Sequence, residues 1–383
     1  MFRLNLRRFN SWFKYPVESG IISRLCCSPA RTIASSQSAP PRQSPLEYVK
    51  VDPLQIIEED EVFYSRYQVV SKLGYGTSST VFGYRFLIYY REQCYNTLKV
   101  CVRGQRPDRE VAILEHLKES SDVHRKRLVR LVLDSFEIVG PRGKHVCLIY
   151  QPLGMSFSKF QDLLPNKKFP KDLSQRSIQL TLIALAFIHE NNVVHTDISP
   201  NNILQGIEDT SILSRMEQDE VIRPITRKIL ADRIIYYSRP MPLCTGSPVL
   251  SDLGKARLGV GKHSGNIMPG IYHAPESIWD LVEGHHLFFT KQNGSLSDEQ
   301  HLAEIVSLMG PPPPEFLKRN QKCSTCIPKQ SFKNRELRFS GQDKILFLEF
   351  LRRIFRWLPD ERPTAEELVY DAFLIQPIVA SEG

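Results

Sequence analysis

The segment HTDISPNNIL, residues 195–204, constrains this chain more than any other part of it. It places Asp197 five residues before Asn202, after a predicted apolar helix over 173–189 and before a short predicted strand. This spacing is typical of phosphoryl transfer, in which the aspartate orients the attacking hydroxyl and accepts its proton while the asparagine holds a magnesium ion. The segment is not decisive alone, because small-molecule phosphotransferases carry a similar loop.

A glycine-containing turn precedes this segment, between predicted strands at 67–70 and 81–84. Gly74 and Gly76 permit a tight hairpin whose backbone N–H groups can approach phosphate closely. Ser79 stands where a third glycine would complete the usual pattern. The turn therefore predicts nucleotide binding by the residues Leu73, Gly74, Tyr75, Gly76, Thr77, Ser78, Ser79 and Val81.

Three charged residues complete the predicted site. Lys99 lies in a short alternating strand and is placed to hold the nucleotide phosphates. The helix predicted over 108–117 carries Glu110, which we predict to be the ion-pair partner of Lys99. Asp252 ends an apolar run, where a metal-binding aspartate belongs.

Two further motifs follow in chain order, YHAPE at 272–276 and ERPT at 361–364. Together with the five features above they resemble the eukaryotic protein kinase family over residues 67–376. The resemblance implies an α+β fold of two lobes, with an antiparallel β N-terminal lobe that contains one helix and a mainly α-helical C-terminal lobe. It implies catalysis by Asp197, Lys99 and Glu110. It also implies ATP and Mg²⁺ as cofactors, with Asn202 and Asp252 as the metal ligands.

The resemblance also places a hinge between the lobes, at residues 151–154. Tyr150 is then expected at the back of an adenine pocket, and Gln151 and Leu153 are expected to bind adenine. Pro152 has no backbone N–H, so adenine recognition depends on the N–H of Leu153 and on nearby carbonyls.

Details within these motifs narrow the resemblance to one group within the family. Thr196 stands where most family members have arginine, and Asp-Leu-Gly at 252–254 replaces the usual Asp-Phe-Gly. This combination is similar to the SR-protein kinases, of the divergent fungal type. The similarity implies serine/threonine specificity, a protein substrate of the Arg-Ser-rich splicing-factor kind, a monomeric state, and a location in cytoplasm and nucleus.

Two departures from the family pattern lower the expected activity. Ser199 replaces the lysine that family members place in the catalytic loop, so turnover should fall. Glu276 is followed almost directly by the segment 279–284, so a stretch whose aspartate usually holds the catalytic loop is missing. Asp280 does not align with that aspartate, although it could partly substitute for it. An incomplete transcript and a true pseudokinase both explain the gap. A catalytically impaired, nucleotide-binding scaffold is therefore the alternative to an active kinase. A small-molecule kinase is a third hypothesis, and the YHAPE motif and Arg362 argue against it.

The chain divides into a basic extension and a kinase-like part. Residues 1–46 have the composition of either a disordered tail or a mitochondrial transit peptide, and the latter would change the expected location to mitochondria. We assign 47–150 to the N-terminal lobe, 151–376 to the C-terminal lobe and 377–383 to a tail. An insert at about 207–245, rich in charge and without a clean period, is either a docking element or a surface excursion.

Net charge, apolar runs and cysteine content argue against several kinds of partner and site. The net charge is +8, but residues 1–46 carry seven basic residues and one acidic residue, which leaves about +2 for the rest. We therefore expect no direct nucleic-acid binding. There is no apolar run of the roughly 18 residues that a membrane span needs, so no membrane partner is expected. The eight cysteines favour reduced thiols, and Cys323-x-x-Cys326 lacks the second pair that a zinc site needs.

Overall fold

The structure is a computed structural model. It describes residues 62–63, 67–76, 79–86, 94–102, 107–140, 143–229, 234–261, 274–288, 291–292, 295–314 and 328–381, which we call the described residues. The predictions for 1–46, for Thr77 and Ser78 and for the Cys323 and Cys326 pair lie outside them.

The N-terminal lobe is built on one antiparallel sheet. Its six strands lie in the order β1-β2-β3-β4-β6-β5, and each pairs antiparallel with its neighbours. The strands are β1 (Val62–Phe63), β2 (Tyr67–Tyr75), β3 (Ser79–Phe86), β4 (Cys94–Cys101), β5 (Val132–Gly140) and β6 (Gly143–Tyr150). Strand β6 is rich in β-branched and apolar residues, as a central, largely buried strand requires, and its last four residues are all buried.

Two helices connect β4 to β5, namely α1 (Asp108–Lys118) and the single turn α2 (Val123–Lys126). In α1 the buried side chains are Glu110, Ile113, Leu114 and Leu117. The predicted apolar face was therefore correct for the two leucines, whereas Val111 is only half-buried. Glu110 is the one charged residue on the buried face, so this helix presents a carboxylate to the interior of the protein.

The C-terminal lobe is organised around a long helix. Its elements are α3 (Phe157–Leu163), α4 (Lys171–Glu190), β7 (Val193–Val194), β8 (Ile203–Gly206), α5 (Ser211–Ile222), β9 (Arg227–Ile229), β10 (Ile234–Tyr236), β11 (Gly246–Leu250), β12 (Arg257–Leu258), α6 (Ala274–Glu283), β13 (Lys291–Gln292), β14 (Ser295–Leu296), α7 (Asp298–Met309), α8 (Phe332–Arg335), α9 (Gly341–Ile354), α10 (Ala365–Val369) and α11 (Ala372–Ser381). Helix α4 is buried on nearly all sides, although polar residues lie among its buried side chains. The side-chain nitrogens of its two buried glutamines are paired, because Gln175 donates to the Phe373 carbonyl (2.6 Å) and Gln179 to that of Val369 (3.2 Å).

The C-terminal helices match the sequence expectations in part. The sequence TAEE at 364–367 predicts a capping box, which is confirmed, with the Thr364 hydroxyl accepting from the Glu367 N–H and the Glu367 carboxylate accepting from the Thr364 N–H. A wide apolar stripe predicts a helix over 341–358, but the helix ends at Ile354, because Pro359 cannot continue a helix and the chain already leaves helical geometry at Phe355. Ile345, which the stripe predicts to be buried, is half exposed.

The insert lies between strands β8 and β11 in the sequence. It was expected to lack a regular pattern, but the structure places helix α5 and the antiparallel pair β9–β10 in it. Leu213 and Met216 of α5 and Met241 line a small cavity with Leu73 of β2 and Pro152 of the hinge. The insert therefore contacts both lobes. None of the described helices is long and apolar enough to cross a membrane.

Candidate active site

The catalytic-loop segment is held by short pairs of strands on either side. Strand β8 pairs antiparallel with β11, with Ile203 opposite Leu250. Asn202 precedes the first of these residues and Asp252 follows the second by two positions. Both side chains therefore stand at the same end of this two-stranded ribbon, although they are fifty residues apart in the sequence.

Hydrogen bonds fix the backbone around Asp197. Asn202 donates from its side-chain amide to the Asp197 carbonyl (2.8 Å), and Asp197 donates from its N–H to Nδ1 of His195 (3.2 Å). His195 is buried, and its Nε2 hydrogen-bonds the Ser251 carbonyl (3.0 Å). Burial lowers the pKa of His195, which keeps the ring neutral with Nδ1 accepting and Nε2 donating.

Lys99 joins the two lobes at the centre of the site. Its ammonium donates to both carboxylate oxygens of Glu110 (2.9 and 3.0 Å) and to Oδ1 of Asp252 (3.1 Å). The predicted Lys99–Glu110 ion pair is thus present, and a third member, Asp252, comes from the C-terminal lobe. Strand β4, helix α1 and the end of β11 each contribute one charge to this triad.

Lys99 and Asp252 favour their charged forms despite burial. Burial alone would lower the pKa of Lys99, but Asp252 and Glu110 more than offset this and raise it. Burial alone would likewise raise the pKa of Asp252, which is net lowered because Lys99 lies beside it. A lysine and an aspartate that stabilise each other in this way are suited to holding a phosphate-bound divalent cation nearby.

Two neighbours restrict the position of the Glu110 carboxylate. The Tyr150 hydroxyl donates to its Oε1 (2.9 Å), and Gly254 approaches so closely that a Cβ there would meet its Oε2 at 3.3 Å. Tyr150 was expected at the back of an adenine pocket, and its hydroxyl in fact bonds the helix α1 glutamate. The Asp-Leu-Gly glycine is needed because a side chain would crowd Glu110 and Asp252.

The glycine turn has the expected hairpin form. Gly76 donates from its N–H to the Ser79 carbonyl (2.8 Å), and Gly74 has open space where a side chain would project. Val81 of β3 lies directly opposite Lys99 of β4, so both point to the same side of the sheet. Most of the predicted loop residues, Leu73, Gly74, Tyr75, Gly76, Ser79 and Val81, therefore border the space above Lys99.

The hinge offers one free donor and one shared acceptor. Among the described residues, the backbone N–H of Leu153 has no hydrogen-bond acceptor, whereas that of Gly154 donates to the Gln205 carbonyl (2.8 Å). The Gln151 carbonyl accepts from Arg130 (3.2 Å), whose guanidinium also lies over the Tyr150 ring at 4.8 Å. A carbonyl has two lone pairs, so Gln151 keeps one for a further donor. Arg130 had no signal in the sequence.

The chemistry of these groups fits a nucleotide with magnesium. No cluster of three or more His, Cys, Asp or Glu side chains that could hold a metal exists among the described residues. Asp252 and the side-chain oxygen of Asn202 make a pair of hard oxygen ligands, which suits Mg²⁺ completed by phosphate and water oxygens. The side-chain amide of Asn202 already points its nitrogen at the Asp197 carbonyl, which leaves its oxygen for a cation.

One of the two unusual residues of the catalytic loop, Thr196, contacts a lysine that the motifs did not indicate. Thr196 donates from its hydroxyl to the Lys255 carbonyl (2.7 Å), and Lys255 Nζ lies 3.1 Å from Oδ2 of Asp197. Ser199, in contrast, is buried and brings no charge. A lysine directly after Asp-Leu-Gly, in a chain without the catalytic-loop lysine, was the available signal.

The segment after Glu276 holds the catalytic loop in a way that was not expected. Helix α6 is buried, and the Ser277 hydroxyl donates to the Ile198 carbonyl (2.7 Å). Asp280 was expected to substitute for the missing aspartate, and this was wrong, because its carboxylate pairs with His286 (2.8 Å) instead. Its burial raises the pKa of Asp280 despite that contact.

Arg362, near the C-terminus, is close enough to Glu276 to interact electrostatically, but its side chain hydrogen-bonds a backbone carbonyl. Arg362 donates two hydrogen bonds to the Arg356 carbonyl (2.9 and 2.8 Å). Burial lowers the pKa of Arg362, while the nearby carboxylate of Glu276 acts in the opposite direction. The two residues therefore interact electrostatically.

Comparison with known proteins gives the same picture as the geometry. Residues 67–213 match the protein kinase domain family. The chain is 37% identical over 353 residues to a serine/threonine protein kinase of Aspergillus fumigatus, covering 82% of this chain and 86% of that protein. It is 26% identical over 314 residues to the serine/threonine-protein kinase SRPK of Physarum polycephalum, covering 70% of this chain and 72% of that protein.

The fold has a solved counterpart. A crystal structure of a kinase domain superposes with a TM-score of 0.57 at 20% identity, covering 83% of this chain and 98% of that one. The two-lobed α+β architecture expected from the motifs is thus confirmed. With an extensive fungal relative at this identity, the chain belongs to the eukaryotic protein kinase family, as a divergent serine/threonine kinase of the SR-protein-kinase-like group.

Proposed function

We propose that this kinase transfers the γ-phosphoryl group of Mg-ATP to serine hydroxyls in basic, Arg-Ser-like protein segments. The observation that carries the proposal is the triad, in which Lys99 contacts Glu110 and Asp252 at the same time. A kinase needs its lysine, its helix glutamate and its metal-binding aspartate in place together. Here Lys99 contacts both carboxylates within 3.1 Å.

Each residue of the site has one role in this proposal. Bound Mg-ATP supplies the transferable phosphoryl group and the metal charge. Lys99 neutralises phosphate oxygens, and Glu110 fixes Lys99 in position. Asn202 and Asp252 hold the cation from the two sides of the β8–β11 ribbon. Asp197 accepts the proton of the substrate hydroxyl and orients its oxygen.

The adenine and phosphate contacts follow from the backbone. Leu153 donates its free N–H to the adenine ring, and the Gln151 carbonyl accepts from the exocyclic amino group with its second lone pair. The hairpin from Leu73 to Val81 covers the phosphates with backbone N–H groups.

The substrate class rests on the SR-protein-kinase-like group. The relative from Physarum carries the name SRPK, and a human relative is named SRSF protein kinase 3, 30% identical over 190 residues. The Thr196 and Asp-Leu-Gly features agree with that group. We propose Arg-Ser-rich splicing factors as protein substrates on this basis.

A second function is favoured by a specific observation. Ser199 leaves the catalytic loop without its usual lysine, and the stretch that family members have after the residue corresponding to Glu276 is missing. A chain with these two features and an intact triad is suited to binding nucleotide without turnover. The alternative is therefore a scaffold that binds Mg-ATP and signals through its conformation.

The test is transfer of labelled γ-phosphate to a pair of matched peptides, one an Arg-Ser repeat and the other with each arginine replaced by alanine. We expect transfer to the first, at least about tenfold faster than to the second, and loss of transfer when EDTA removes the metal. Equal rates would overturn the proposed substrate class. Saturable Mg-ATP binding with no transfer to either peptide would establish the scaffold instead.

A further inference from the structure

We propose that Lys255 replaces the missing lysine of the catalytic loop, by positioning Asp197 and adding positive charge beside the transferring group. This inference rests on the proposed kinase reaction and goes beyond it, because it assigns a role to a residue outside the motifs that define the site. Its direct support is the contact of 3.1 Å between Lys255 Nζ and Asp197 Oδ2.

The register of a short strand pair brings Lys255 to this position. Strands β7 and β12 pair antiparallel with Val194 opposite Arg257 and Val193 opposite Leu258. The same register, continued by two residues toward the loop, sets Thr196 opposite Lys255. The hydrogen bond from the Thr196 hydroxyl to the Lys255 carbonyl (2.7 Å) lies where this register predicts it.

The backbone on both sides of Lys255 is anchored. Leu253 and Ala256 are 1% and 0% exposed, and Ala256 donates from its N–H to the Leu253 carbonyl (2.9 Å). Lys255 ends this single 3-10 turn with its side chain directed outward. Anchored neighbours reduce the freedom that the side chain would otherwise have around Asp197.

Charge pairing in the site leaves this role open for Lys255. Lys99 is committed to Glu110 and Asp252, and the Asp197 carboxylate has Lys255 as its ion-pair partner. The side chain of Asp197 is 18% exposed and that of Lys255 is 56% exposed, so the lysine reaches the aspartate from the solvent-exposed side. Ser199 has neither the length nor the charge for this contact.

The two departures in the catalytic loop therefore have one explanation. Thr196 cannot bind an activation-segment phosphate as arginine would, but its hydroxyl holds the backbone of Lys255. Ser199 lacks the ammonium, but Lys255 provides one at the same aspartate. In this account Lys255 is a positioning residue toward Asp197, and Thr196 supports it.

The contact itself is testable without any turnover. A water-soluble carbodiimide converts a carboxylate to an O-acylisourea, which the amine of a touching lysine displaces to form an amide, releasing the urea and a proton. Peptide mapping of the nucleotide-free protein should show a 197–255 crosslink. The exposed Lys167–Asp162 pair, at 2.7 Å, is the internal positive control. Absence of the 197–255 product while the 162–167 product forms would overturn the contact.

The role is tested by relocating the charge. Lys255→Met should lower kcat by about 10²-fold while the Kd for Mg-ATP changes by less than about threefold. Adding Ser199→Lys to that variant should return kcat to within about tenfold of wild type and move the crosslink from 255 to 199. Lys167→Met, a matched loss of an exposed lysine, should leave kcat unchanged.

The outcomes separate this inference from the function beneath it. A wild-type kcat in Lys255→Met, or an equal loss in Lys167→Met, would overturn the role of Lys255 and leave the kinase proposal intact. Failure of Ser199→Lys to restore turnover in a variant whose crosslink has moved would also overturn it. If wild-type protein transfers no phosphate, the proposed function fails, and the crosslink alone then decides the contact.

Discussion

The nucleotide side and the substrate side of the site are built by different rules. On the nucleotide side, the motifs single out Lys99, Glu110 and Asp252, and Lys99 contacts both carboxylates directly. On the substrate side, Thr196 and Ser199 depart from the family pattern, and Asp197 is paired with a lysine from outside the catalytic loop. The nucleotide side keeps the residues of the family pattern. The substrate side keeps a positive charge beside Asp197, but a residue from outside the catalytic loop provides it.

This difference shows what phosphoryl transfer requires of the chain. The triad joins three elements from two lobes. A positive charge that replaced Lys99 from another position would therefore have to contact the carboxylates of Glu110 and Asp252 at the same time. A single contact to Asp197 is less demanding, because any anchored segment within reach can supply it. The comparison predicts severe effects on the nucleotide side and effects on the substrate side that relocated charge can rescue.

The largest expected effect breaks the nucleotide side. Lys99→Met should lower turnover by at least about 10²-fold, since the charge on the phosphates is lost. It also leaves Glu110 buried without its cation, which should cost about 3 kcal/mol of unfolding free energy in urea. Adding Glu110→Gln should recover much of that stability and none of the turnover. A double variant as unstable as Lys99→Met would contradict the buried-charge explanation.

A smaller effect tests how tightly the triad is packed. Gly254→Ala introduces a Cβ at 3.3 Å from Glu110 Oε2 and 3.4 Å from Asp252 Oδ1. Either carboxylate must shift, so turnover should fall by about tenfold with a modest change in Tm. Gly261→Ala is the matched control, because a Cβ there meets nothing within 4 Å. Equal turnover in the two alanine variants would show that the triad tolerates displacement.

On the substrate side, Thr196→Val removes a hydroxyl and keeps the shape. The lost hydrogen bond to the Lys255 carbonyl should cost about 1 kcal/mol of stability. Turnover should fall by about threefold, because Lys255 loses one of its supports and not its charge. Steady-state kinetics with the peptide substrate measures this, and a larger loss than that of Lys255→Met would contradict the order of the two roles.

The smallest effect on activity is expected from Lys72, beneath the insert. Burial lowers the pKa of Lys72 to about 8, below the value of about 10.4 in an unfolded chain. Between these two pH values the unfolded chain binds more protons, so stability should rise with pH, by no more than about 1.4 kcal/mol per pH unit. Lys72→Met should flatten this rise in urea titrations and leave kcat unchanged. An identical pH slope in both proteins would show that Lys72 is exposed in solution.

The fold and most of the nucleotide side could be predicted because their signals are local. The glycine turn, the alternating strand at Lys99 and the Asp-Leu-Gly segment each have a spacing that reflects their geometry. The long helix α4 is similar, since its apolar residues recur at helical spacing over twenty positions. Boundaries were less certain, as the early end of α9 at Ile354 illustrates.

The substrate side could not be predicted in the same way because its contacts are made between distant segments. The Lys255–Asp197 pair depends on the register of β7 with β12, which two-residue strands do not reveal in sequence. The bond from Ser277 to Ile198 depends on where helix α6 packs after a shortened segment. Asp280 was assigned by its type, and its pairing with His286 became visible only in three dimensions.

The most direct test of this account is the single-turnover rate of labelled γ-phosphate transfer to an Arg-Ser repeat peptide, for wild type and Asp197→Asn. The substitution keeps the shape of the side chain and removes the proton acceptor, so the rate should fall by about 10²-fold or more while Mg-ATP still binds. An equal rate in the two proteins would contradict the account, because phosphate transfer would then not need the carboxylate of Asp197 as proton acceptor.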